Sequence, residues 1–213
     1  DKIIDLKNSK AFTLGDQNNI ECVNLQNKIE TLIVNLYSLT EVEQSLIDYA
    51  IDISIPVLKR AEETGYSNKN IFSPLLSHST KDRQYLEVYA KVFIDHFRHR
   101  FNSDDKWFYV DIHITLDFIG FHFIVANKPS ETDQIFFKDE KENIALYKIG
   151  DLGIHNVTRD LYIQQDVRGF NKNTFYIIKP NERKCWHKAV AHHDLIEFIE
   201  VLAEAEFKQN KSL

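Results

Sequence analysis

Methionine is absent from the chain, and glycine and cysteine are scarce, at six and two residues in 213. None of the glycines falls in a GxGxxG or GxxxxGK(S/T) arrangement, so no backbone cradle for nucleotide phosphates is expected. Cys22 and Cys185 lie far apart and form no CxxC pair. That excludes a disulfide framework or a cysteine-rich zinc site and makes a reducing cytoplasm the expected compartment. Long apolar runs are missing too. "LIVNLY" and "FIGFHFIVA" fall well short of the roughly 20 residues a membrane span needs, so no membrane partner is expected. The polar start "DKIIDLKNSK" is unlike a secretory signal. A chain that opens on Asp1 without any methionine reads as an excised or processed piece of a longer protein. Positive charge is in deficit, with a formal net charge of −6, which argues against an autonomous, broadly adhesive nucleic-acid binder.

What is present is an ordinary globular composition, 43% apolar and 27% charged, sufficient for a buried core. Residues 1–19 show no sustained period and read as an extended entry and a loop. Leu25, Ile29, Leu32, Ile33 and Leu36 then recur at helical spacing, predicting an amphipathic helix over 20–37. "SLTEVEQ" offers a capping box between Thr40 and Glu43. Val42, Leu46, Ile47, Ala50 and Ile51 supply the stripe of a second helix, which Pro56 is expected to stop near Ser54. Residues 60–80, punctuated by Gly65 and Pro74, read as a loop and a boundary.

A long helix is predicted over 80–101, capped by Ser79 with Asp82. Its stripe is Leu86, Tyr89, Ala90, Phe93, Phe97 and Phe101, and its basic end holds His96, Arg98, His99 and Arg100, where cations suit the exposed carbonyls. Beyond it the period falls to two: Phe108, Val110, Ile112, Ile114 and Leu116 alternate with Tyr109, Asp111, His113 and Thr115. "FIGFHFIVA" completes a hairpin through Asp117, and "DQIFFKD", "ENIALYKI", "DLYIQQDV" and "TFYIIKP" are further strand candidates. Leu195, Ile196, Ile199, Leu202 and Ala203 mark a closing helix. The expected class is α+β: a helical N-terminal half, an antiparallel sheet of about five or six strands and a C-terminal helix. A helical segment over 1–65 precedes an α+β module over 66–213.

Several constellations invite chemistry. Cys185 and His187 suggest a thiol nucleophile with its base, although a lone cysteine beside Trp186 is more often packing. His192, His193 and Asp194 suggest a metal, but neighbours on a helix diverge by about 100°, no HExxH is present, and Asp194 reads better as a helix-start cap. Asp111, His113, Thr115 and Asp117 share one side of a strand, with His122 across the hairpin. Asp111, His113 and His122 are therefore candidate metal ligands or acid–base groups, set against the plainer reading of a solvated sheet face. "DEK" at Asp139–Lys141 matches the letters of a nuclease motif but sits in an expected turn. Charge distribution says more. Arg168, Lys172, Lys179, Arg183, Lys184 and Lys188 face the single acid Glu182, interleaved with Phe170, Phe175, Tyr176 and Trp186. Bases between rings suit phosphate contact with stacking, so these six and Trp186 form the candidate nucleic-acid surface; a solvated loop is the alternative.

"LQNKIETLIVNLYSLTEVEQSLIDYAIDI", residues 25–53, resembles the helix that closes the target-recognition region of bacterial adenine-specific DNA methyltransferases of restriction–modification systems. Ile29, Leu32, Ile33, Leu36, Tyr37, Leu39, Thr40 and Glu43 fill the family's pattern. Ser38 stands where the family often has glycine. "FYIIKPNERKCWHKAVAHHDLIEF", residues 175–198, resembles the tails of large phage-defence methyltransferase-like proteins. The family's Asn/Asp-Pro-Pro-aromatic tetrapeptide and its glycine-bearing S-adenosylmethionine motif are absent. The resemblance therefore implies no catalytic residue and no cofactor in this chain, with S-adenosylmethionine confined to another domain of a parent protein. It implies a non-catalytic module that positions DNA or docks a defence-system subunit. A protein-interaction or homodimerisation module without DNA contact is the alternative, and a metal-dependent, nuclease-like domain using Asp111, His113 and His122 is a third reading.

Overall fold

A computed structural model describes residues 17–64, 75–128, 133–138, 167–171 and 173–211, with residues 167–171 described through their backbone. The chain divides into two compact units, Asp1–Ile47 and Asp48–Leu213. The boundary expected at 65/66 lies outside the described residues, as do the strand candidate "ENIALYKI" and residues 1–16 of the expected entry and loop, whose last three residues, 17–19, instead open a helix.

In the first unit α1 runs Gln17–Tyr37 and α2 begins at Glu41. Between them the chain reverses through a Schellman-type closure. The Leu39 amide donates to the Val34 carbonyl (3.1 Å) and the Ser38 amide to Asn35 (3.3 Å). This places Ser38 at φ 50°, left-handed backbone that favours glycine. The capping box forms as its letters predict: the Thr40 amide donates to Glu43 Oε2 (2.8 Å) and the Glu43 amide to Thr40 Oγ1 (3.3 Å). The bond from the Thr40 backbone holds the Glu43 carboxyl below its ordinary pKa.

Pro56 does not stop the second helix. α2 (Glu41–Tyr49) passes through a π-helical turn, Ala50–Ser54, into α3, Ile55–Thr64. The Ile55 amide reaches back five residues to the Ala50 carbonyl, and Ile55 keeps helical backbone at φ −63°, ψ −47°. The wider turn moves the hydrogen-bond register just ahead of the proline, which then occupies the first turn of a fresh α-helix, where its missing N–H costs little.

The rest of the second unit is built on α4, Thr80–Phe101, with Ser79 as N-cap. Of its predicted stripe Leu86, Tyr89, Ala90, Phe93 and Phe97 are buried and Phe101 is half-buried, and Ile94, outside the predicted stripe, is buried with them. The strands are β1 (Lys106–Ile114), β2 (Phe118–Asn127), β3 (Ile135–Lys138), β4 (Val167–Asn171) and β5 (Thr174–Pro180). They form one sheet in the order β3-β1-β2-β5-β4. A 3₁₀ turn, Arg183–Trp186, leads to α5, Lys188–Lys211. The class is thus α+β, helices then sheet then helix, with α4 packed on both α5 and β1.

The sheet is mixed, not wholly antiparallel: β1–β2, β2–β5 and β4–β5 are antiparallel, while β3 runs parallel to β1. After β2 the chain reverses and lies against the far edge of β1, so it shares the direction of β1. Alternation identifies a strand's buried face but not its neighbour. Leu116 leaves its predicted stripe and is 65% exposed. The strand ends at Ile114, and Thr115 closes the hairpin on Phe118 through its amide and hydroxyl. In α5 the predicted stripe is rotated. Ala191, Asp194, Leu195 and Phe198 face inward, whereas Ile196, Ile199 and Ala203 are exposed.

The core is aromatic. Phe93, Phe97, Phe108, Phe121, Phe123, Phe175, Phe198 and Trp186 are buried together. Phe123 lies 4.5 Å from Phe175, and Phe121 lies 4.7 Å from Trp186, each pair nearly parallel.

Candidate functional site

The stretch 179–194, which carries most of the expected basic surface, turns inward. Lys179 is the last but one residue of β5 and is buried; its ammonium is paired with the carboxylate of Asp194, on the inward face of α5. Tyr89 of α4 donates its hydroxyl to the same carboxylate, and the ammonium lies 5.8 Å from the Tyr89 ring centre. A charge this deep is tolerated because a counter-ion and a hydroxyl replace its water. Asp194 is therefore not the cap of α5, since the helix begins six residues earlier at Lys188.

Asn181 follows Pro180 and is equally buried. Its side-chain oxygen accepts from the Leu76 amide (2.8 Å). Its amide nitrogen donates to the carbonyls of Leu76 (2.9 Å) and Thr115 (2.6 Å). One side chain thereby satisfies backbone groups of two segments that have no partner within regular structure.

The remaining members of the expected surface have separate surroundings. The Arg183 guanidinium lies over the Tyr85 ring at 4.2 Å, and the Tyr85 hydroxyl donates to the Arg183 carbonyl (3.0 Å). Burial pushes the Tyr85 hydroxyl's pKa well up. Lys184 pairs with Glu182 at 2.6 Å. Burial draws the Lys184 pKa down, but the Glu182 carboxylate outweighs it and leaves the ammonium more basic than usual. Trp186 is fully buried against Phe121 and Tyr89 and donates its indole N–H to the Pro180 carbonyl (3.0 Å). Its ring is part of the core and offers no face to a base. Lys188, half-buried, opens α5. Arg168 lies on β4, whose side chains are not among those described, and Lys172 lies outside the described residues. The structure does not bring Lys179, Lys184 and Trp186 to one open face.

Cys185 and His187 do not form a nucleophile–base pair by their chemistry. Burial pushes the Cys185 thiol up, away from the reactive thiolate. His187 Nδ1 accepts from the Ala189 amide (3.1 Å), which makes it the cap of α5.

On the sheet, Asp111 sits directly opposite His122, with His113 two residues on, so the three share one face. That face is not the solvated surface expected of it: His113 is buried and His122 half-buried. Burial pushes the His122 pKa down against the pull of Asp111. Asp111 is engaged by Lys138 of β3 at 2.9 Å. Among the described residues, the three possible ligand atoms that converge belong instead to His193, Asp194 and Glu197. Of these, Asp194 is already committed to Lys179 and Tyr89. "DEK" at 139–141 lies outside the described residues.

Sequence reasoning missed Asn181, the bond from the Tyr89 hydroxyl and the inward role of Asp194. A signal for the last was present, since Asp194 sits three residues after Ala191 and four before Phe198, and Lys179 stands at the end of the apolar strand "TFYII". A lone base and a lone acid, each on a core-facing position, are expected to find each other.

Among the described residues no helix is long and apolar enough to cross a membrane. No known protein family, curated protein or solved structure matches this chain.

Proposed function

We propose that the chain is an association module whose helix α1 docks against an apolar helical face, with a second copy of the chain as the occupant. One observation carries this reading. Ile29, Leu32 and Leu36, spaced three and four residues apart, are 47%, 66% and 77% exposed, and Ile20, Val23, Ile33 and Tyr37 are exposed beside them. Leu25, half-buried, extends this three–four spacing toward the helix start, where Cys22 is buried; the open part of the seam, by which two helices interlock knobs into holes, is Ile29 to Leu36. Large aliphatic groups left in water on one helix are the usual mark of an association surface. The likeness of residues 25–53 to a restriction–modification methyltransferase supports a subunit of a defence enzyme as the natural setting.

The DNA-positioning role draws no support from Lys179, Lys184 or Trp186, two held by carboxylates and one enclosed by rings. It rests on Arg168, Lys172, Arg183 and Lys188. Sedimentation of the chain across a concentration series, with and without duplex DNA, tests both. The expected result is a dimer that dissociates on dilution and a Leu32→Glu variant that stays monomeric. A wild-type chain that is monomeric throughout overturns the reading. A DNA complex that weakens with salt and on charge reversal of Arg183 transfers the function to nucleic acid.

A further inference from the structure

Helix α5 starts without serine, threonine, aspartate or asparagine at its cap. His187 occupies that position in extended backbone, φ −73° and ψ 153°. Its Nδ1 accepts the Ala189 amide proton at 3.1 Å, and its carbonyl accepts that of Ala191 at 3.0 Å. The first of these bonds exists only while Nδ1 carries no proton.

His187 is 6% exposed, and its ring lies between two tyrosines, Tyr49 at the end of α2 (5.3 Å, edge-on) and Tyr85 of α4 (6.0 Å). The charged groups facing it come from two directions. Asp48 and Asp52, on the helical segment that carries Tyr49, favour a proton on the ring. Arg183 and Lys188, on its own turn and helix, oppose one. The positive end of the α5 dipole opposes it as well. Burial is the largest influence and pushes the His187 pKa down, so the neutral acceptor is the resting form at neutral pH.

We propose that His187 is a proton-operated cap: protonation of Nδ1 sets two N–H donors against each other, frees the first turn of α5 and releases the ring from its seat beside Tyr49. The imidazolium then turns toward Asp48 and Asp52, the acceptors on that side. The direction in pH follows from the lowered value. A histidine whose folded pKa lies below its unfolded one binds fewer protons when folded. Its contribution is complete above the ordinary value of about 6.5 and is lost as pH falls through the folded value. This device does not depend on the docking reading, because every group in it belongs to the second unit.

Amide hydrogen exchange at Ala189, corrected for the intrinsic pH dependence, reads the cap directly. In the wild type, protection is expected to fall about tenfold between about pH 7.5 and 5. In His187→Asn, whose side chain caps without titrating, protection is expected to stay level. His122→Gln serves as control, since burial also lowers the His122 pKa, and it is expected to keep the wild-type profile. An equal fall in His187→Asn, or no fall in the wild type, overturns the proposal. If the asparagine variant does not fold, the His187 ring titration in the wild type decides. A value at or above the ordinary one overturns the cap, and a value below it with coincident loss of Ala189 protection sustains it.

Discussion

Residues 179–194 and helix α1 invert each other. The first stretch is rich in charge, imidazole and amide, yet Lys179, Asn181, His187 and Asp194 are all buried. The second carries a row of aliphatic side chains, yet Ile29, Leu32, Ile33 and Leu36 stand in water. Residue type alone would have assigned the first to a binding surface and the second to a core. What separates them is partnership. Lys179, Asn181 and Asp194 meet complementary groups from distant segments, while the aliphatic row of α1 stays exposed among the described residues. Buried polar groups of this kind hold a fold together, whereas uncovered apolar ones look outward for something to bind.

The contrast is sharpest at the buried ion pair. Asp194→Ala leaves the Lys179 ammonium enclosed without a counter-ion and is expected to cost about 3–5 kcal/mol in chemical denaturation. Replacing both partners by apolar residues of similar size, Lys179→Met with Asp194→Leu, is expected to recover most of that loss. If the single variant is as stable as the wild type, the pair is not the structural element described. A smaller loss, about 1–3 kcal/mol, is expected for Asn181→Ala, which strands the Leu76 amide and two carbonyls. Smallest of all, Leu36→Glu in α1 is expected to change the stability of the isolated chain by no more than about 0.5 kcal/mol, since the position is already in water. A large loss there would mean that α1 is a core element and would remove the contrast.

Much of the architecture could be read from local pattern. The Thr40–Glu43 and Ser79–Asp82 caps, the span and inward face of α4, and the β1–β2 hairpin each depend on residues a few positions apart, and each is as the spacing predicts. The departures come where distant residues decide. The direction of β3 follows from the edge of β1 against which it lies, which no alternation encodes. α5 turned a different face inward because Asp194, polar by type, is drawn to Lys179, and Phe198 joins Phe93 and Phe175 in the core. Pro56 is passed because the π-helical turn before it resets the backbone bonds. The candidate site was the least legible for the same reason. Basic and aromatic letters mark both a phosphate-binding face and the polar lining of an aromatic core, and only the partners tell them apart.

Asn181 joins chain segments 105 and 66 residues away, at Leu76 and Thr115. Its bonds can close only after these segments have come together, so it is expected to act as a latch that engages late on the route to the native state. Weakening it should therefore leave the speed of folding almost untouched and show itself in how quickly the finished molecule comes apart.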